Sequence, residues 1–188
     1  MKIKVCTEAL CPGCRDFVLE QLITTYDILG SEVMDLQVVP FGNAMLVNKT
    51  ITCQHGVGEC DANSYEQCMI HSFPHPTQYL PMLSCLEHAL PMGSSPTKFP
   101  VDIFEQCAKQ AKLDFSPIQD CHDSPLLAWK VLQEAADATP AYHTYVPWVE
   151  IDDNHLDLES KNFMEEVCKA YEAKGGSHPA CNFGKLMD

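Results

Sequence analysis

The segment Cys11-Pro12-Gly13-Cys14 decides how the rest of the sequence is interpreted. It follows the short apolar run 3–6 and precedes a helical pattern, and a C-x-x-C at such a junction is typical of a redox dithiol. Unpaired N–H groups and the dipole at a helix N-terminus stabilise a thiolate, so we expect Cys11 to attack and Cys14 to resolve the mixed disulfide. Pro12 restricts the loop, and Gly13 allows another chain to approach closely.

Two other interpretations of this motif are less favoured. A C-x-x-C can supply half of a zinc site, but no other cysteines in the chain form a second C-x-x-C. A static disulfide is also disfavoured, because the motif is a four-residue loop directly before a helix. We therefore predict catalytic cysteines at positions 11 and 14, with neither a metal nor an organic cofactor.

Length and charge restrict the class of protein. A chain of 188 residues suits one domain, and its 46% of hydrophobic residues can build a sizeable core. The formal net charge of -14 argues against nucleic acid and anionic membrane surfaces as partners. No apolar run approaches the length of a membrane span. The run at 3–6 is too short for a signal peptide, so we expect either a cytosolic protein or a mature domain with an added Met.

The cysteine content favours an oxidising compartment. Eleven cysteines are many for a cytosolic chain of this length. Outside the motif the count is odd, and we take Cys6 as the unpaired thiol. The candidates for structural disulfides are Cys53, Cys60, Cys68, Cys85, Cys107, Cys121, Cys168 and Cys181. Their connectivity is not fixed by the sequence alone. The sequon at Asn48 fits glycosylation on a secretory route.

The first 40 residues predict a β-α-β unit with the dithiol at its first turn. Strand patterns at 2–7 and 33–39 flank a helical pattern at 12–29, which Gly30 closes as a C-cap. The next hundred residues hold most of the remaining cysteines, with strand alternation only at 46–52. Helical patterns there occupy 62–72, 78–90, 102–113 and 125–138, and a loop is predicted at 93–96.

Strand character returns near the C-terminus. A strand at 144–151 and a returning strand at 155–158 precede an amphipathic helix at 160–173. We expect Cys181, in the tail, to pair with Cys168. The sequence thus predicts one α/β domain over residues 1–188. It has a core of 1–40 and 141–174, a helical, disulfide-stapled insertion at 41–140, and a C-terminal tail at 175–188.

This element order, with C-x-x-C at the first helix, resembles the thioredoxin fold. In that fold a cis-proline within a strand lies against the dithiol, and the matching residue here is Pro147, after Val146. The resemblance implies that Val146 and Pro147, with Pro12 and Gly13, hold the substrate in extended form beside Cys11.

A second pattern points to a narrower family. Residues 53–68 contain CQHG-x2-EC-x2-N-x4-C, which is similar to the signature of the gamma-interferon-inducible lysosomal thiol reductase (GILT) family. The segments 8–12, 40–44 and 146–149 also resemble that family, whereas Cys6 departs from its frequent aromatic residue. The resemblance places the active dithiol at Cys11 and Cys14 and implies activity at acid pH. Activity at acid pH requires that the pKa of Cys11 is strongly lowered. Glu8 is the nearest acid in sequence and could oppose this lowering.

Residues in this signature and just after it could also bind a metal. The candidate ligands are Cys53, His55, Cys60, Cys68, His71 and His75, whose types suit zinc. Their spacings do not match standard fingers or knuckles, and disulfides are the simpler account in an oxidising compartment. The role of His55 stays open.

The resulting prediction is a thiol–disulfide oxidoreductase that reduces disulfides in protein substrates and is regenerated by a small thiol. We expect it in the secretory pathway, in a lysosome or vacuole or outside the cell. The alternatives are a disulfide oxidase or isomerase of the secretory pathway and a non-catalytic, cysteine-stapled binding module.

Overall fold

The computed structural model describes residues 1–92, 97–158 and 162–186. The loop predicted at 93–96 and the first two residues of the helix predicted at 160–173 lie outside these ranges. The strands are β1 (Lys2–Thr7), β2 (Asp35–Pro40), β3 (Met45–Val47), β4 (Thr50–Thr52), β5 (Trp148–Ile151) and β6 (Asn154–Leu156). The α-helices are α1 (Pro12–Phe17), α2 (Ile23–Val33), α3 (Val57–Ser72), α4 (Pro76–Ala89), α5 (Val101–Gln110), α6 (Ser116–Asp123), α7 (Pro125–Ala138) and α8 (Phe163–Ala173).

A four-stranded sheet in the order β2-β1-β5-β6 carries the N-terminal and C-terminal segments. β1 pairs in parallel with β2 and antiparallel with β5, and β5 pairs antiparallel with β6. Ile3 and Val5 on β1 face the larger hydrophobic core, while Cys6 on the opposite face packs in a smaller cluster with Trp148. The sheet is therefore covered on both faces, as the apolar residues on both faces of β2 predict.

The helix after the dithiol is longer and less regular than its sequence pattern suggests. α1 passes through a π-helical turn at Val18–Leu22 into α2 without leaving helical geometry. Gly30 then takes φ +62°, a conformation that glycine adopts without steric cost, and a last turn follows it. Gly30 thus interrupts the helical geometry where the sequence predicted the helix to end, although the helix continues to Val33. The following strand begins at Asp35 rather than at residue 33.

Residues 41–140 contain a hairpin and most of the helices. The predicted strand at 46–52 is two short strands, β3 and β4, because Asn48 and Lys49 both have positive φ and form a two-residue turn. Helices α3, α4, α5 and α7 lie where the patterns predicted them, but α3 begins at Val57 rather than at residue 62. The sequence analysis missed α6, whose two buried residues, Ile118 and Cys121, are too few to show a period.

Disulfides join these helices to one another. Cys68–Cys121 links α3 to α6, Cys85–Cys107 links α4 to α5, and Cys53–Cys60 closes the loop before α3. Cys168–Cys181 ties α8 to the 3₁₀ helix Pro179–Leu186, the pairing expected from the sequence. Cys6, Cys11 and Cys14 are free, and Cys6 is buried as the unpaired thiol.

Candidate active site

The dithiol lies where the chain leaves β1 and enters α1. Leu10, fully buried, has φ +68°, an uncommon conformation for a residue with a side chain, and it turns the chain into the helix. Cys11 is the N-cap of α1, and its Sγ accepts a hydrogen bond of 3.4 Å from the Cys14 backbone N–H. Cys11 is half-buried and Cys14 is fully buried. The fold therefore presents one of the two thiols to solvent and holds the other behind it.

The segment Val146-Pro147 lies against this turn. A Cβ built on Gly13 would be 3.8 Å from Pro147 Cδ, 3.9 Å from the Val146 carbonyl oxygen and 4.0 Å from Cys11 Sγ. The peptide bond between Val146 and Pro147 is cis, which confirms the expectation from the sequence. The strand predicted at 144–151 begins only at Trp148, after Pro147, which has no N–H to donate to the sheet.

The environment lowers the pKa of Cys11 to about 7, mainly through a hydrogen bond from the Cys14 thiol and also through the backbone N–H groups of Cys14 and Gly13. Burial and the negative charge of Glu8 act in the opposite direction. Glu8 therefore opposes the Cys11 thiolate, as its position in the sequence suggested, but the pKa of Cys11 is still lowered. Burial and the neighbouring Cys11 raise the pKa of Cys14 well above its usual value. Deprotonation is thus directed to the half-buried Cys11 rather than to the fully buried Cys14.

Replacing Cys14 with alanine is expected to raise the pKa of Cys11 from about 7 toward that of a free thiol, because the largest stabilising hydrogen bond is lost. The rate of iodoacetamide labelling against pH measures this, with mass spectrometry to locate the label. Burial raises the pKa of Cys6 to about 12, so Cys6 does not compete for label.

Cys14→Ser is the matched control, because its hydroxyl can still donate to Cys11. Its labelling midpoint should lie between those of Cys14→Ala and the wild type. A midpoint in Cys14→Ala that equals the wild-type value would contradict the assigned hydrogen bond.

The signature segment 53–60 packs beside the turn that carries the dithiol. His55 Nε2 lies 3.5 Å from Glu8 Oε1, and the His55 backbone N–H donates to Glu59 Oε2 at 2.6 Å. Glu8 Oε2 accepts the backbone N–H of Asn43 at 2.8 Å, and Asn63 Oδ1 accepts that of Ala9 at 2.8 Å. The signature segment therefore packs against the β1–α1 loop and helps to hold it in place.

Two buried carboxyls where this segment meets the β1–α1 loop have raised pKa values. Burial raises the pKa of Glu59 to about 7, helped by the negative charges of Glu8 and Cys11. Burial also raises the pKa of Glu8, against hydrogen bonds from Asn43 and the charges of His55 and His143. From the sequence, Glu8 was expected only as a possible opponent of the thiolate, and no role was predicted for Glu59. The match of Glu59 to the signature was the one available signal.

Gly42 packs directly against Glu8. Its φ is +59°, and a Cβ built there would lie 2.5 Å from both Glu8 Cβ and Glu8 Oε2. We expect Gly42→Ala to displace Glu8 and lower the free energy of unfolding by roughly 2–4 kcal/mol, combining backbone strain with overpacking. Urea unfolding measures this loss.

Gly175→Ala is the matched control for Gly42→Ala. Gly175 also has positive φ, +82°, but a Cβ there meets no atom within 4 Å. Gly175→Ala should lower the free energy of unfolding by about 1 kcal/mol, the part that comes from backbone strain alone. Equal losses in the two variants would show that the contact with Glu8 is not what excludes a side chain at position 42.

The other residues considered from the sequence are placed as follows. Cys53, Cys60 and Cys68 form disulfides and so do not act as metal ligands, while His71 and His75 are exposed. Asn48 is exposed at the turn of the β3–β4 hairpin. Trp148 is buried and stacks on His155 with 3.5 Å between ring centroids, so it belongs to the core behind Pro147.

This arrangement is able to carry out thiol–disulfide exchange. A half-buried thiol of lowered pKa at a helix N-terminus, with a second thiol hydrogen-bonded behind it, has the features that this chemistry needs. Among the helices in the described part of the chain, none is long and apolar enough to cross a membrane.

Comparison with known proteins identifies the family. A family model described as "Gamma interferon inducible lysosomal thiol reductase (GILT)" matches residues 2–111. The chain is 31% identical over 193 residues to the "Gamma-interferon-responsive lysosomal thiol protein" of Arabidopsis thaliana, a match that covers 100% of this chain and 78% of the relative. It is 32% identical over 190 residues to the "Gamma-interferon-inducible lysosomal thiol reductase" of Carassius auratus, covering 94% of this chain and 70% of the relative. The chain belongs to the GILT family, as its signature suggested, and at the level of that family it is an oxidoreductase.

Proposed function

We propose that this protein reduces disulfide bonds in protein substrates through Cys11 and Cys14. The observation that carries the proposal is the lowered pKa of Cys11, about 7, at a half-buried position in front of the buried Cys14. A thiolate is the attacking species in disulfide exchange, and an accessible thiol that ionises near neutrality supplies it. Membership in a family described as thiol reductases supports the same chemistry.

The reaction takes place in two exchanges. The Cys11 thiolate attacks one substrate sulfur, the substrate S–S bond breaks, and the departing sulfur leaves as a thiolate that takes up a proton. Cys14 then loses its proton and attacks Cys11, which forms the Cys11–Cys14 disulfide and releases the second substrate thiol. An external small thiol, oxidised in turn, returns the pair to the dithiol.

The sheet order and the cis-proline support a thioredoxin-like fold. In this proposal the core of 1–40 and 141–174 carries the dithiol, residues 41–140 are an insertion, and 175–188 form the tail. Val146 and Pro147, which lie beside Gly13, and Pro12, which is exposed, would then border the bound substrate segment. The backbone of Val146 would hold that segment in extended form.

The proposed compartment is acidic and oxidising. Four disulfides, the exposed sequon at Asn48 and relatives named as lysosomal support a secretory route to a lysosome or vacuole, or to the outside of the cell. At acid pH only a small fraction of Cys11 is ionised, but an unperturbed thiol would be less ionised still.

The test is reduction of insulin disulfides by a small thiol, with and without the protein, at acidic and at neutral pH. Acceleration at acid pH supports a reductase of an acidic compartment. Acceleration only near neutrality would keep the dithiol chemistry but favour a general oxidoreductase of the secretory pathway, and the redox potential of the Cys11–Cys14 pair would then separate a reductase from a disulfide oxidase or isomerase. A folded protein with a reducible Cys11–Cys14 pair and no acceleration at either pH would instead be a binding module.

A further inference from the structure

Three ionisable side chains from separate segments meet beside the dithiol. Glu8 comes from the β1–α1 loop, His55 from the loop closed by Cys53–Cys60, and Glu59 from the first turn of α3. Each offers one ligand atom, and these atoms all lie within 4.8 Å of one another. Glu8 and Glu59 are almost fully buried, whereas the His55 side chain is 20% exposed and gives the cluster a path to solvent.

One oxygen in this cluster has no hydrogen-bond partner. Glu59 Oε2 accepts the His55 backbone N–H, but Glu59 Oε1 is buried and meets no donor among the described residues. A buried carboxylate oxygen without a donor is costly, and such an atom calls for a ligand. It therefore points to an occupant independently of the composition of the cluster.

The chemistry of the three groups suits a small divalent cation. Imidazole nitrogen and carboxylate oxygen are ligands of zinc at about 2.0–2.2 Å, which places two ligands of a tetrahedral site roughly 3.4 Å apart. The observed separation of Glu8 Oε1 and His55 Nε2 is 3.5 Å. The backbone N–H of Asn43 holds Glu8, and that of His55 holds Glu59, which are the outer contacts that orient such ligands.

We propose that Glu8, His55 and Glu59 form a binding site for a divalent cation of the zinc class. Three protein ligands leave a fourth position open in a tetrahedral zinc site, which a water molecule can take. The proposal stands on the geometry of this cluster and does not depend on the proposed function.

The test uses the Cys14→Ser variant without reductant, so that Cys11 stays a free thiol and the structural disulfides remain intact. Zn²⁺ is titrated at pH 7 in competition with a chromophoric chelator. We expect one tight equivalent per chain, with affinity at least tenfold weaker when Glu59→Gln or His55→Ala is added.

His71→Ala is the matched control, because His71 is exposed and lies outside the cluster. Its zinc affinity should equal that of the parent, which matters in a chain whose net charge of -14 attracts cations unspecifically. Near-UV circular dichroism checks that each variant is folded. Unchanged affinity in both cluster variants, or the absence of a stoichiometric tight site in the parent, would overturn the proposal. The zinc titration does not require reductase activity, so failure of the proposed function would remain distinguishable.

Discussion

Replacing Cys11 with serine is expected to reduce disulfide reduction to the rate of the small thiol alone, a loss on the order of 10³-fold or more. Cys11 is the half-buried thiol whose pKa is lowered to about 7, whereas Cys14 and Cys6 are buried and have raised pKa values. A serine hydroxyl at the same N-cap is not ionised at any relevant pH. The measurement is the initial rate of insulin reduction at acid pH.

The Cys14→Ser variant separates the attack of Cys11 on the substrate from the resolution of the mixed disulfide by Cys14. Its Cys11 can still attack, so turnover should fall while a covalent adduct with the substrate accumulates, visible on non-reducing gels and by mass spectrometry. Cys11→Ser should give no adduct. An adduct at Cys14 in the Cys11→Ser variant, or turnover that survives Cys11→Ser, would reverse the assigned order of the two cysteines.

Raising the pH from 5 to 7 is expected to lower the free energy of unfolding by about 2–5 kcal/mol. Burial raises the pKa of Glu87 to about 8 and that of Glu59 to about 7, and burial together with Glu87 and Glu59 raises that of Glu66 well above its usual range. At pH 5 these carboxyls are protonated in the folded chain, whereas in the unfolded chain they ionise near pH 4.5. Their contribution to stability is therefore full below that pH and is lost as the pH rises through the folded pKa values. Urea unfolding at several pH values measures the slope.

Glu87→Gln tests whether Glu87 causes this dependence of the free energy of unfolding on pH. The amide is neutral at every pH and similar in shape, so the variant should remain stable at pH 5 and lose about 2 kcal/mol less than the wild type between pH 5 and 7. Glu165→Gln, on the exposed side of α8, should leave the slope unchanged. A slope in Glu87→Gln equal to that of the wild type would rule out Glu87 as a source.

Much of the site was predictable because its main signals are local. The dithiol depends on a strand, a turn and a helix that are consecutive in sequence, and each has its own period or cap. The cis bond before Pro147 was expected from the resemblance of the element order to the thioredoxin fold, in which a strand proline is cis. α6 was not predicted, and the β3–β4 hairpin was predicted as a single strand, because a helix with two buried residues and strands of three residues carry little periodicity.

The sequence by itself determined the dithiol, the β-α-β start, the returning hairpin and the family. Only the tertiary structure decided what surrounds Cys11. Glu8, His55 and Glu59 are separated by up to 51 positions, yet a disulfide and the turn at Gly42 bring them together. The pKa of Cys11 follows from this packing, since desolvation and Coulomb interactions depend on distances in space that no local pattern encodes.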